Sequence, residues 1–290
     1  MKKLRVRNHQ VVLNRSVGGD TGITIILVLF GAFMFIPMYY TVIQSFKPYD
    51  ELFLFPPRFY IKNPTLKNYT DLFRLMSTSW VPFSRYIFNT VLISVVGTLG
   101  NLVLSSLAAY VLSKMKFPGR EFFFQTIVLS LMFSSTVTAI ANFIVMAKLH
   151  WIDTYWAVIV PTFASTLGLY LMKQFMESSV SDAVLESARI DGASEFRTFL
   201  QIAMPMVKPA WLTLIVFSFQ DLWKSGQSIY IHSEQLKTFN YAISQVLNGG
   251  ILRSGASAAS TGIMMIVPII VFVVSQSNIM ETMGSSGMKD

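Results

Sequence analysis

Charge is spaced so unevenly along this chain that few architectures remain open to it. Its 290 residues include 23 Lys and Arg and 15 Asp and Glu, yet positions 21–46, 86–113, 122–147, 154–172 and 254–280 hold none of them. Those windows are 19 to 28 residues long. A helix needs about 20 apolar residues to cross a hydrocarbon layer about 30 Å thick, and it satisfies its own backbone while doing so. Only 13% of the residues are charged, against about 25% in soluble domains. An all-α, polytopic membrane protein is expected.

Composition also closes several chemistries. There is no cysteine, and the three histidines, at 9, 150 and 232, are not paired at metal-ligand spacing. No phosphate-binding loop, H-E-x-x-H pair or G-x-S-x-G elbow occurs, so the chain is expected not to be an enzyme. Any use of ATP energy would fall to another chain. The net charge of +8 does not call for nucleic acid, because Lys2, Lys3, Arg5, Arg7 and Arg15 crowd ahead of the first apolar run, where they anchor a first span in the cytoplasm. That run is too long for a signal h-region, and Ile36-Pro37-Met38-Tyr39-Tyr40 offers no small-x-small cleavage site.

Six spans are expected, near 22–46, 85–113, 121–147, 154–173, 209–230 and 254–280. An extracytoplasmic segment covers 47–84, and cytoplasmic segments cover 1–21, 174–208 and 281–290. Lys and Arg number 13 on the side of the N-terminus and 10 on the other, a weak bias in the same direction. Ser94, Gly97, Gly100, Asn101, Ser105, Ser106, Ala108 and Ala109 suit close helix contacts in the second span. Ser130, Ser134, Ser135, Thr136, Thr138 and Asn142 give the third a polar side.

One charged stretch interrupts the second half. Residues 173–208 hold five acids and four bases. Ser181 is placed to cap a helix that Asp182 opens, with Ala183, Ser187 and Ala188 as a small-residue face and Gly192 at its end. Ser194 is placed to cap a second short helix running to about Ala203, with Glu195 in its first turn and Phe196, Phe199 and Leu200 projecting from it. Pro205 and Pro209 end it and redirect the chain. Taken alone, these residues fit two ordinary surface helices.

The run Glu186-Ser187-Ala188-Arg189-Ile190-Asp191-Gly192-Ala193 is followed at fixed spacing by Ile202, Pro205 and Pro209. This pattern resembles the EAA loop in permease subunits of bacterial binding-protein-dependent ABC importers, most closely the carbohydrate branch. Asn89-Thr90, Ala109-Tyr110, Phe117-Pro118-Gly119 and Gln276 extend the likeness. Ser187 departs from the usual second alanine, and Trp223-Lys224 stands where the family usually shows Trp-Asn.

The resemblance implies that Glu186, Ser187, Ala188, Asp191, Gly192, Ala193, Phe196 and Pro205 form a coupling segment docked on an ATPase. It also implies a bacterial cell-membrane location, a homologous second permease, two cytoplasmic ATPase subunits, an extracellular or periplasmic solute-binding protein and a sugar substrate. ATP and Mg would belong to the partner ATPase, with no cofactor on this chain and no nucleic acid partner. Carbohydrates need hydrogen-bonding groups beside flat apolar faces, so Ser135, Thr138, Asn142, Gln220, Asp221 and Trp223 are the candidate substrate path. A secondary transporter without an ATPase is the alternative, but it usually shows internal repeats and buried charges, and no convincing repeat is present.

Overall fold

The computed structural model describes residues 17–77, 80–133, 135–225, 229–250 and 253–286. Among the described residues the secondary structure is helical throughout, with no strand. Four helical stretches are long and apolar enough to cross a membrane: 18–46, 83–114, 156–179 and 254–276. A fifth consists of two pieces, 195–206 and 208–224, that meet at 83°.

Helix α1 (Val17–Phe46) is followed by the short α2 (Tyr49–Leu52) and by α3 (Lys67–Ser77). Of these, α3 buries Asn68, Leu72 and Met76, a stripe at i, i+4 and i+8. The Asn68 side-chain amide donates to the Ser45 and Lys47 carbonyls at 2.9 and 2.7 Å, which ties α3 to the end of α1. Residues 47–77 therefore pack partly on their own protein.

Helix α4 (Phe83–Lys114) is the central element. Its polar residues Asn89, Thr90, Ser94, Thr98, Asn101, Ser105 and Ser106 are buried, and it packs against both α8 (Thr166–Ser179) and α12 (Lys208–Lys224). Close approach is built in at Gly168, where an added Cβ would lie 2.8 Å from Leu214 and 3.0 Å from Asn101 and Ser105. Helix α14 (Ser254–Ser286) covers α12 and α1.

Three expected spans differ in detail. The run over 121–147 is divided into α5 (Arg120–Ser130) and α6 (Ser135–Lys148), of 11 and 14 residues. At about 1.5 Å per residue neither piece alone crosses about 30 Å. At the end of α5 the Ser130 hydroxyl competes for a backbone acceptor, donating from Oγ to the Ile127 carbonyl at 2.6 Å. The run expected to end near 173 continues through Ser179, after a short α7 (Trp156–Ile159) and a 3₁₀ turn (Val160–Phe163).

The third difference is at α12, which stops at Lys224 rather than near 230. There Thr238 Oγ1 donates to the Ser225 carbonyl at 2.9 Å, and the Asn240 amide donates to the Lys224 carbonyl. Both donors come from the start of α13 (Phe239–Leu247) and the residue before it.

At one end of the bundle Asn89 organises the loops. Its amide donates to the Gln235 and Lys237 carbonyls at 2.8 Å each, and its carbonyl oxygen accepts from Tyr155 at 2.7 Å. Nearby, Asp153 accepts from the His232 and Ser233 amides. The Ser233 hydrogen bonds hold the Asp153 carboxyl below its usual range.

Candidate functional site

The charged interruption folds into a bent, anchored knob. Helix α9 (Asp182–Ile190) buries Leu185 and Ala188. Ser181 occupies the N-cap position in extended conformation, but its hydroxyl makes no capping bond. Asp182 instead pairs with Lys114 at the end of α4, at 2.8 Å, and the ammonium holds the Asp182 carboxyl below its ordinary range.

The end of α9 follows from Gly192. Its φ of +79° lies in the left-handed region, and nothing would crowd a Cβ there, so the requirement for glycine is one of backbone conformation alone. The Gly192 amide donates to the Arg189 carbonyl and the Ala193 amide to the Ala188 carbonyl, both at 3.0 Å, the paired bonds of a Schellman turn. Asp191 is the C-cap, and its side chain is exposed.

Helix α10 (Glu195–Thr198) opens with Ser194, whose hydroxyl accepts from the Arg197 amide at 3.3 Å. The helix does not stop near Ala203. It runs through a π-helical stretch, Phe199–Ala203, into α11 (Met204–Met206), so the chain turns after Pro205 rather than at it. The turn falls at Val207, and Pro209 enters the first turn of α12, where its missing N–H costs nothing. Arg189 Nε donates to Glu195 Oε1 at 2.7 Å across the bend, and Tyr110 of α4 donates to Glu195 Oε2 at 3.1 Å. Arg189 is the main reason the Glu195 carboxyl lies below its usual range.

Below the bend a buried cluster joins Tyr110 of α4, Met172 and Met176 of α8, Leu185 of α9, Phe199, and Ala210 and Leu214 of α12. Arg120 of α5 pairs with Glu177 of α8 at 3.2 Å, and Lys173 pairs with the same Glu177 within α8 at 2.7 Å. The knob is thus rooted in three long helices.

The expected coupling residues divide by face. Ala188 is 7% exposed and turned into the chain's own core, so its small side chain serves internal packing. Glu186, Ser187, Asp191, Gly192 and Pro205 are exposed, and Ala193 is intermediate. Phe196 is 64% exposed, and beside the turn Ile190 is 86% exposed. Ile190 stands in the matched run but was not singled out; the signal available was its place between Ala188 and Asp191, on the face opposite Leu185.

The candidate path residues are not brought together. The side chain of Ser135 lies outside the described residues. Thr138 and Asn142 are exposed on α6. Gln220 and Trp223 line a largely apolar cavity of about 590 Å³ with Met38 and Phe272. Trp223 is buried, donates from Nε1 to the Met264 carbonyl at 3.1 Å and stacks on Phe219, which commits it to the α12–α14 contact. Asp221 faces a separate cavity of about 220 Å³ together with Asn101, Thr162, Ser165 and Ser218. The sequence pattern marks Asn101 only as a close-packing residue. Its amide donates to Ser218 at 3.1 Å and its carbonyl oxygen accepts from Ser105 at 2.8 Å. Ser218 lies three residues before Asp221, a spacing that signals a shared helix face. Among the described residues no group of three or more His, Asp or Glu could hold a metal ion.

Residues 101–282 match the model of the family described as binding-protein-dependent transport system inner membrane component. The chain belongs to that family. Among curated relatives of this permease is the sn-glycerol-3-phosphate transport system permease protein UgpE of Yersinia enterocolitica, 34% identical over 142 residues. That match covers 49% of this chain and 50% of the relative, so the chain spans about half the relative's length. The arabinooligosaccharides transport system permease protein AraQ of Bacillus subtilis is 27% identical over 215 residues, 71% of this chain and 74% of AraQ. A bacterial ABC transporter involved in import of the acidic polysaccharide alginate shares the permease's fold, with a TM-score of 0.74 at 21% identity over 91% of this chain and 98% of that one. The permease is a multi-pass inner membrane protein, and the matched region takes in the knob, the whole Asp221 cavity wall and the last part of α4, from residue 101 on.

Proposed function

We propose that this permease is one membrane-spanning subunit of an ATP-driven importer, forming half of the translocation path for a sugar or oligosaccharide. On this reading it couples to a cytoplasmic ATPase through residues 182–203. The observation that carries the proposal is the two-sidedness of that segment. Leu185, Ala188 and Phe199 are sunk in the chain's own core while Ile190 and Phe196 stand open. Large apolar side chains exposed together on a charged, non-spanning segment mark an interaction surface, and exposed Glu186 and Asp191 border them. The named cargoes of relatives, arabinooligosaccharides and a glycerol phosphate, support a polyhydroxylated substrate.

The remaining partners follow from the same reading: a homologous second permease, two ATPase subunits that hold ATP and Mg, and a solute-binding protein outside the membrane. Both termini lie in the cytoplasm. ATP-driven closure of the ATPases displaces the knob, and the root of α12 moves with it.

Co-purification of the ATPase with the wild type and with Ile190→Asp, Phe196→Asp and Glu186→Lys tests the coupling surface. Association and substrate-stimulated hydrolysis should fall in the variants, and unchanged values in all three would refute it. Because the chain has no cysteine, Ser194→Cys tests orientation: labelling from outside the cell would overturn the placement of both termini.

A further inference from the structure

Among the described residues, the cavity bounded by α4, α8 and α12 has a single ionisable group in its wall, the Asp221 carboxylate. No described Lys, Arg or His lines it; the other polar contributors are the Asn101 amide and the hydroxyls of Thr162, Ser165 and Ser218. Resting on the importer reading above, we propose that this cavity is a charge filter on the translocation path. It passes uncharged polyhydroxylated solutes and rejects those carrying carboxylate or phosphate.

Hydroxyl and amide groups both donate and accept, as sugar hydroxyls do. The Phe217 ring, about half exposed in the same wall, adds the flat apolar face that a sugar ring covers. Carboxylate or phosphate recognition calls instead for a cation, most effectively a bidentate Arg. An anion entering here would meet Asp221 with no counter-charge among the described wall residues and would be repelled by it. The volume of about 220 Å³ is below the roughly 300–1,000 Å³ of drug-sized pockets, so the wall reads one portion of a solute at a time.

The cysteine-free background permits a direct test in the assembled transporter, reconstituted in liposomes. Leu167 is an exposed wall residue on α8, and Leu167→Cys provides a reporter thiol. Relative to a free thiol in solution, a trimethylammonium methanethiosulfonate should label it faster than the sulfonate analogue by about tenfold. Asp221→Asn should bring that ratio close to the free-thiol value, and Asp221→Glu should retain it. Maltotriose should slow the labelling, whereas trigalacturonate at equal concentration should not. The proposal is overturned by a ratio indifferent to Asp221→Asn, by equal protection from the two sugars, or by protection from neither. ATPase association measured on the same preparations tests the importer reading separately, because none of these substitutions touches residues 182–203.

Discussion

Ile190 should separate docking from folding. It closes α9 beside the Gly192 turn and is 86% exposed. Replacing it with Ala removes three side-chain carbons, each worth about 0.8 kcal/mol when buried. If the ATPase covers this face, Ile190→Ala therefore loses about 2 kcal/mol of binding, a weakening of roughly 30-fold. The fold itself should change by no more than about 0.5 kcal/mol, as at an ordinary surface position. Leu185, one turn earlier and 2% exposed, predicts the opposite pattern: Leu185→Ala leaves a cavity and costs about 2–5 kcal/mol of stability in the isolated chain. The assay is a titration of the purified permease in lipid nanodiscs with its ATPase, paired with thermal unfolding of each variant alone. The reasoning is refuted if Ile190→Ala shifts the ATPase dissociation constant by less than about threefold, or if it lowers the unfolding temperature as far as Leu185→Ala does.

Three further outcomes are expected. Gly192→Ala should cost about 1–2 kcal/mol and loosen residues 189–195 in hydrogen exchange without any steric clash, since nothing lies within 4 Å of the added Cβ; Gly192→Asn should recover part of the loss. The depressed Glu195 carboxyl contributes stability that is present above its ordinary value of 4.5 and is lost as pH falls through the lower folded value. With side-chain exposures of 40% and 44% in the Arg189–Glu195 pair, the effect is under about 1 kcal/mol, and acid melting curves of Glu195→Gln should lack it. At the opposite end, Asn89→Ala removes three hydrogen bonds from a fully buried side chain and takes the Asn89 donor from the Lys237 carbonyl, while the Gln235 carbonyl keeps the Arg85 Nε donor at 3.2 Å. A loss of about 2–4 kcal/mol and faster exchange over residues 235–239 should follow.

The membrane helices were readable because lipid excludes charge, so four of the five charge-free windows coincide with helical stretches long enough to span. The fifth, 122–147, shows the limit of that signal. Freedom from charge reports the solvent, not the continuity of the backbone, and the segment divides between Ser130 and Ser135. The turn of the knob was readable for a local reason, since Gly192 requires positive φ. The facing of Ala188 was not, because a small residue serves a partner's groove or its own core equally well; the choice follows from the seating of α9 by Leu185, which packs in a cluster with Met172, Met176 and Tyr110 from distant parts of the sequence. Trp223 and Asp221 are two residues apart, so the helix sends them to different sides, and only the neighbours α14 and α8 determine what each side faces.

Those neighbours also indicate how displacement at the knob reaches the cavity. Helix α12 begins at the 83° bend, where Val207, Ala210 and Leu214 share a buried cluster with Leu185 and Phe199 of the knob. Seventeen residues at about 1.5 Å each carry it roughly 25 Å to Lys224, past Ser218 and Asp221. Close-packed interiors move as units rather than deforming. A push on α9 and α10 is therefore delivered to the base of α12, and the Asn101–Ser218 hydrogen bond lies where α12 crosses α4. Tilting α12 must break or shift that bond and reshape the Asp221 cavity in the same motion. Asn101→Leu, which removes the polar latch while keeping bulk, should accordingly alter the ratio of basal to substrate-stimulated ATPase activity while leaving ATPase affinity unchanged. An unaltered ratio would mean that the path opens without any change at this crossing.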